Sequence, residues 1–385
     1  MDFENERMKM TIFQVYRGGR TNIPLSTLLF FSYLRTFEDI CIFIRKVIYH
    51  QYFRIDCLIS TNFTNYPITN YLIFTFISQK YSLDDAISGD RTLSKIKIVT
   101  DSTSDLPKDL AKKYDIEIIP LNIFFGDKQF KDRVDLTPGE FYEMCNSGDY
   151  EWPKTSQPSA KEFMELYTQI LDQGYETIIS VHITPKMSGT LNSVQLAIKN
   201  MPDADIVPID SNNVTLGLGL LAYMAGKLNK EGKSREEIIT TLKKQYIPNT
   251  RICAVIDTLE YLHRGGRIGR AKKIVGTLLN KKPFLEVKDG QVSSIDSVKG
   301  HDEGFDRMVK MAPHLFDTLL VDELWIGYAD TKEYSEKLYE AIKDIPNAPN
   351  TIRQVEIGPT VGAHLGPGVM TYCWLGDWQV KWFKE

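Results

Sequence analysis

The sequence predicts an α/β protein of two domains, a parallel α/β domain followed by a mixed α+β domain, behind a dissimilar N-terminal quarter. Three observations carry this expectation. From residue 96 onward, short apolar runs alternate with capped amphipathic segments, the pattern of parallel strands covered by helices. The segment "PFLEVKDGQVSSIDSV" reads as a hairpin turning at Asp289-Gly290, which a purely parallel domain would not contain. Residues 1–95 hold 17 of the 38 Phe and Tyr residues, but only three of the 25 glycines and none of the five tryptophans.

The elements follow in order. "IKIVTD" (96–101) is a buried-strand run, and "DLPKDLAKKYD" is a helix with Pro107 near its start. "IEIIPLNIFF" (116–125) reads as a second strand. Thr137 caps a helix whose first position is Pro138. Ser159 and Glu162 form a capping box ahead of Phe163, Leu166, Tyr167, Ile170 and Leu171 at helical spacing. A strand at 177–183 leads through "TPKMSGTLNSVQLA" into a helix, then come the strand "ADIVPID" and an apolar helix around 213–228. Ser234 and Glu237 cap another helix in the same way. "RICAVID" (251–257) is a strand and "IGRAKKIVGTLL" is helical; after the hairpin, "DELWIGYAD", a helix over 332–344, "TIRQVEI" and "VMTYCWL" complete the series. The expected division is an extension over 1–95, an α/β domain over 96–250 and an α+β domain over 251–385. For the extension, three readings stand open: a small extra domain, a poorly ordered arm, or residues upstream of the natural start of translation.

Composition narrows the function classes. Charged residues at 25% and hydrophobic residues at 43% fit a soluble globular protein. A net charge of -4 argues against a nucleic-acid binder with a broad positive face. Five scattered cysteines (Cys41, Cys57, Cys145, Cys253, Cys373) show no CxxC and no metal spacing, which suits a reducing cytoplasm. The longest apolar runs fall short of the roughly 20 residues of a spanning helix, so no stable membrane insertion is expected.

Ligands of parallel α/β sheets gather at the carboxyl ends of strands. Four polar loops qualify: "TDSTSD" (100–105), "KTSQPS" (154–159), "TPKMSGT" (184–190) and "GPTVGAHLGPG" (358–368). None contains GxGxxG, GxxxxGK[ST] or GxSxG. Ser188 and Gly189 stand where a buried strand turns into a helix, and free N–H groups at such a turn attract anions. Ser188 reads first as a helix N-cap. As a nucleophile it would need a base, for which His182 and His364 are the candidates. With Ser159 committed to its capping box, Thr155, Ser156 and Gln157 are left to face a ligand. "HRGGRIGRAKK" (263–273) gathers basic residues suited to an acidic or phosphate-bearing partner, or to a solvated helix start. Leu216, Leu218, Leu220, Ile274, Leu278 and Leu279 are candidate walls of an apolar tunnel, or plain helix core.

Taken together, "KIKIVTDSTSDLP", "TSQPS", "KMSGTLNS", "PIDSNNVTLGLG", "DTLEYLHRGGRIG" and "GAHLGPG" resemble, in this order, the DegV family, which includes the fatty-acid-binding subunits of bacterial fatty acid kinase. The likeness covers residues 96 to about 376 and leaves 1–95 without a counterpart. The resemblance implies a two-domain DegV-like fold with one long-chain fatty acid between the domains. It implies a carboxylate gripped by Thr155 and Ser188, with His364 beside the head group. It also implies a non-enzymatic carrier without cofactor, whose ligand is phosphorylated by a separate ATP-dependent fatty acid kinase catalytic subunit for phospholipid synthesis. Arg264 and Arg267 are implied docking residues. Lys299, in "SVKG", stands where family members often carry an Arg-rich strand, a departure from that surface. Two rival readings stay open: a regulatory module for another small carboxylate or phosphate, and a hydrolase or transferase using Ser188.

Overall fold

The computed structural model describes residues 95–276 and 281–384, all within one compact unit. The expectations for residues 1–94, for Cys41 and Cys57, and for Leu278 and Leu279 lie outside the described residues.

In chain order, β1 (Ile96–Asp101), α1 (Lys108–Lys113) and β2 (Ile116–Ile119) come first. Next are β3 (Asn122–Phe125), β4 (Lys128–Lys131), α2 (Pro138–Ser147), β5 (Lys154–Ser156) and α3 (Ala160–Asp172). β6 (Thr177–His182), α4 (Thr190–Lys199), β7 (Asp205–Asp210), α5 (Thr215–Lys230) and α6 (Arg235–Thr241) follow. Then come β8 (Thr250–Val255), α7 (Glu260–Arg264), β9 (Lys282–Lys288), β10 (Gln291–Val298) and α8 (His301–Phe316). The last are β11 (Glu323–Ala329), α9 (Glu333–Ile342), β12 (Thr351–Glu356), α10 (Pro359–Leu365) and β13 (Val369–Leu375).

The first four-stranded sheet is all parallel, in the order β2-β1-β6-β7. Its two central strands, β1 and β6, are buried at every residue, as interior parallel strands are. A six-stranded sheet, β10-β9-β8-β13-β11-β12, is antiparallel except for β11 beside β12. A three-stranded antiparallel sheet, β4-β3-β5, stands apart. A parallel sheet followed by a mixed one is the expected architecture.

α5 joins the two large sheets. Every residue from Thr215 to Gly226 is buried, and the helix touches β1 and β6 on one side and β8 and β13 on the other. A helix that is apolar all round needs cover on all sides. That is why Leu216, Leu218 and Leu220, at 0% exposure, are core and not tunnel wall. Burial of each contributes roughly 1.5–3 kcal/mol. The far face of the mixed sheet (Val255, Phe284, Ile326, Tyr372) packs on α8 and α9 through Met308, Leu315 and Leu338. The far face of the parallel sheet (Val99, Ile178, Ile206) is covered by α3 and α4.

All three predicted caps form. Thr137, Ser159 and Ser234 each accept the N–H of the third helical residue, and Glu140, Glu162 and Glu237 reach back to complete capping boxes. Four expectations change. The single strand over 116–125 divides at Pro120, which has no N–H for a ladder; β2 joins the parallel sheet and β3 the small one. "IGRAKKIVGTLL" gives a 3-10 turn, Gly269–Ile274, in its described part. α8 was not anticipated, although Met308, Met311, Ala312 and Leu315 carry helical spacing. "GPTVGAHLGPG" holds the short helix α10, with His364 in its last turn. Among the described residues no helix is long and apolar enough to cross a membrane.

Candidate functional site

A cavity with about 940 Å³ of empty space, its open mouth included, lies where the two large sheets and the small sheet meet. One wall comes from regular strands. Ile252, Ala254 and Ile256, at spacing two, face the cavity with Leu285 and Val287 of β9, while Val255 between them points to the α8 side. Strand alternation accounts for these positions, and Cys253 and Glu286 from the intervening register also reach the lining. α10 adds Val361 and Leu365, one helical turn apart. These residues, not the α5 leucines, form the apolar wall. Ile274 does not line it either.

The polar side is built from chain ends and turns. Thr155 sits on β5, held in register against Ile123 of β3, and its Oγ1 lies 2.9 Å from His364 Nε2. Both line the cavity, as does Ser156, whose hydroxyl accepts a hydrogen bond from Asn122 at 3.1 Å. Ser188 lines it from the turn before α4. Its Oγ is 2.8 Å from Thr190 Oγ1 and accepts the Thr190 N–H at 3.3 Å. Ser188 is therefore not the N-cap itself. Gly189 holds that position, pressed against the Gln157 side chain.

Arg267 also lines the cavity instead of pointing outward. Its Nε donates to Met187 O at 3.0 Å and its Nη1 to Gly265 O at 2.7 Å, which ties the guanidinium to the residue that precedes Ser188. Burial, and then the positive charge of Arg267, push the His364 pKa down to about 4, so the ring is neutral at neutral pH. A neutral ring can donate from Nε2 to Thr155 Oγ1, leaving the threonine hydroxyl proton for an incoming oxygen. His364 Nδ1 is buried without a hydrogen-bond partner and faces Gly265; a Cβ there would stand 2.1 Å from it. The glycine lets the "RGGR" turn close over the imidazole.

The other two basic residues lie elsewhere. Arg264 is exposed, paired with Glu260 at 2.6 Å and stacked 4.3 Å over the Trp152 ring. Lys299 is exposed in the turn before α8, where its backbone N–H donates to Glu303 at 2.8 Å.

His182 is not in the site. It is fully buried, with Nδ1 at 2.8 Å from Asp101 and Nε2 at 2.7 Å from Ser180, whose hydroxyl meets Tyr167 at 2.8 Å. This Ser–His–Asp series has no access to a substrate, and Ser188 bonds to Thr190 rather than to a histidine. Sequence reading missed Thr103, Thr215 and Thr360 on the cavity lining. Thr103 lies in the flagged loop 100–105 and turns its hydroxyl onto Asp101 two residues away, whereas Thr215 bonds Asp105 across 110 residues, a contact with no local signal. Among the described residues no group of three His, Cys, Asp or Glu is placed to hold a metal ion.

A family model described as "Uncharacterised protein, DegV family COG1307" matches residues 95–377. The chain is 36% identical over 275 residues to a DegV domain-containing protein of Caldanaerobacter subterraneus subsp. tengcongensis, covering 71% of this chain and 96% of the relative. The fold is similar to that of a DegV family protein from Thermus thermophilus described for fatty acid binding, with a TM-score of 0.67 at 29% identity over 73% of this chain and 99% of the other. It is similar to Bacillus subtilis DegV, described as a fatty acid binding protein, with a TM-score of 0.66 at 28% identity over 74% and 100%. A stearic acid-binding protein from Eubacterium ventriosum gives a TM-score of 0.63 at 26% identity over 73% and 98%.

Proposed function

The chain belongs to the DegV family, and from that premise we propose that it binds one long-chain fatty acid in the cavity and, without catalysing a reaction itself, presents the carboxylate to a separate ATP-dependent kinase subunit. The product would be an acyl phosphate for phospholipid synthesis, made in the cytoplasm. The observation that carries the reading is the Thr155–His364 pair, with Ser188 and Arg267 beside it, in a cavity otherwise walled by strand aliphatics. The fatty-acid-binding descriptions of the solved relatives support it.

In this reading Thr155 and Ser188 donate hydrogen bonds to the carboxylate, each contributing about 1.5–3 kcal/mol. Neutral His364 orients Thr155, and Arg267 supplies the compensating charge. Ser156 and Gly189 complete the turn around the head group. A tail of ~15 methylenes at about 0.8 kcal/mol each offers roughly 12 kcal/mol gross, before the cost of ordering it. The tail sets affinity, and the hydroxyls set orientation. Residues 96–250 and 251–385 act as the two domains that enclose the ligand. Arg264 and Lys299 are exposed and serve the kinase subunit; Arg267, facing the cavity, moves from the docking group to the ligand group.

Native mass spectrometry after gentle purification tests the proposal. A co-purifying C14–C18 acid is the expected result. A small carboxylate or phosphate in its place would favour a regulatory module, and no bound lipid after loading with palmitate would overturn the carrier reading.

A further inference from the structure

The loop that leads into the His364 helix is held from across the fold. Asp105, in the turn after β1, is fully buried and adopts a left-handed backbone at φ 49. Its Oδ1 accepts the Gly358 N–H at 2.7 Å and Arg133 Nη2–H at 3.2 Å, and its Oδ2 accepts the Thr215 hydroxyl at 2.6 Å. Arg133, also left-handed at φ 60, sends the same Nη2 to the Glu356 carbonyl at 2.5 Å. The two side chains thus seize Glu356 and Gly358, the last residue of β12 and the residue before Pro359, which opens α10. Gly358 has no room for a side chain, because a Cβ would stand 2.6 Å from Arg133 Nε. From this one segment Ile357, Thr360, Val361 and His364 all line the cavity.

The electrostatics agree with a clamp under load. Burial pushes the Asp105 carboxyl up, and Arg133, Thr215 and the Gly358 N–H pull it back. Asp132, next to Arg133 and equally buried, is pushed up to about 6 by burial, against the Thr360 hydroxyl and Arg133. One arginine therefore answers two buried acids, and a neutral side chain at 133 would leave both without a counter-charge.

We infer that Asp105 and Arg133 are positioning residues for the head-group end of the cavity: by gripping Glu356 and Gly358 they set α10 so that His364 Nε2 meets Thr155. The inference rests on His364 being a head-group residue, as proposed above, but its test does not need the ligand. A buried imidazole beside Arg267 keeps its low pKa only while α10 stays seated. Loosening the grip should admit water to the ring and return its pKa toward the ordinary value, about 6.5.

The experiment is ring-proton NMR of the full chain, delipidated, for wild type, Arg133→Met and Arg133→Lys. Wild-type His364 should titrate near pH 4. In Arg133→Met the midpoint should rise by about one unit or more, a tenfold gain in proton affinity, with Arg133→Lys between the two. Unchanged His182 ring signals report that the parallel-sheet half is intact. A lower Tm with an unmoved His364 titration would reduce Arg133 to a structural role and overturn the inference. Where Arg133→Met does not fold, Arg133→Lys and Gly358→Ala disturb the same contact from its two sides and are judged by the same shift. Because the protein is empty, an unmoved titration leaves the fatty-acid proposal standing, and a lipid-free native spectrum leaves the titration result standing.

Discussion

On one side of the cavity Ile252, Ala254, Ile256, Leu285 and Val287 project from two neighbouring strands. On the other, Thr155, Ser188, Arg267 and His364 arrive from a strand, a turn before a helix, a glycine turn and a helix end. The wall is set by a two-residue period, so any aliphatic side chain of similar volume fulfils its part. The polar side is set by individual atoms: Thr155 Oγ1 must meet His364 Nε2, and Arg267 must reach Met187 O. Hydrophobic burial is non-directional and summed over area, whereas a hydrogen bond is lost within a fraction of an ångström. The two sides should therefore respond to substitution in opposite ways.

The largest effect is expected from giving the wall a polar atom. Leu285 is 4% exposed, and a carboxylate there has no partner. Leu285→Glu should destabilise the fold by about 3–5 kcal/mol and abolish lipid retention. Leu285→Met, close in volume, should cost less than about 1.5 kcal/mol and keep the lipid. Urea unfolding and native mass spectrometry of both variants measure this, and equal losses would mean that the wall is as exacting as the polar side.

The next effect lies across the cavity. Thr155→Val and Ser188→Ala each remove one hydroxyl at nearly constant volume. Loss of about 1.5–3 kcal/mol of charge-assisted bonding corresponds to roughly a 10- to 100-fold fall in kinase-dependent phosphorylation, with a smaller change in lipid content. If lipid retention falls as far as phosphorylation, the division between tail and head group is wrong. Gly265→Ala should act in the same direction, because its Cβ would displace His364.

This contrast also explains what could be read in the chain. Capping boxes at Ser159–Glu162 and Ser234–Glu237 need only four consecutive residues, so their chemistry is local and visible. The hairpin at Asp289-Gly290 is visible for the same reason, both residues taking positive φ. Thr155, Ser188 and His364 stand out in polar loops, but their shared role comes only from a resemblance of motifs, and the meeting of Thr155 with His364 spans 209 residues of chain. The wall was not legible. An alternation such as Ile252, Ala254, Ile256 says that one face is buried, but not whether a helix or a cavity covers it. The α5 leucines failed for the converse reason: an all-apolar helix fits a tunnel wall or a core equally until its second sheet is known. Asp105 and Arg133 carry no local signal, since each serves a backbone group more than 200 residues away.

The smallest effect separates the two sides by pH alone. His364 has its pKa lowered to about 4, below the ordinary 6.5, so between these values the unfolded chain binds more protons at this site than the folded one. Its contribution to stability is complete above pH 6.5 and is lost as pH falls toward 4. Asp132 has the reverse sign. Its pKa is raised from 3.8 to about 6, so the folded protein holds the proton longer, and stability declines as pH rises through that window. Each group can tilt stability by at most about 1.4 kcal/mol per pH unit, and in the wild type the two tilts oppose one another between about pH 4 and 6. His364→Gln should therefore leave a curve that falls relative to wild type as pH rises, and Asp132→Asn one that gains on it. Leu285→Met should run parallel to wild type throughout, since an aliphatic wall binds no protons. Urea midpoints at pH 4, 5, 6 and 7 give the difference curves, and parallel curves for all three variants would show that the polar side is not held by charge at all.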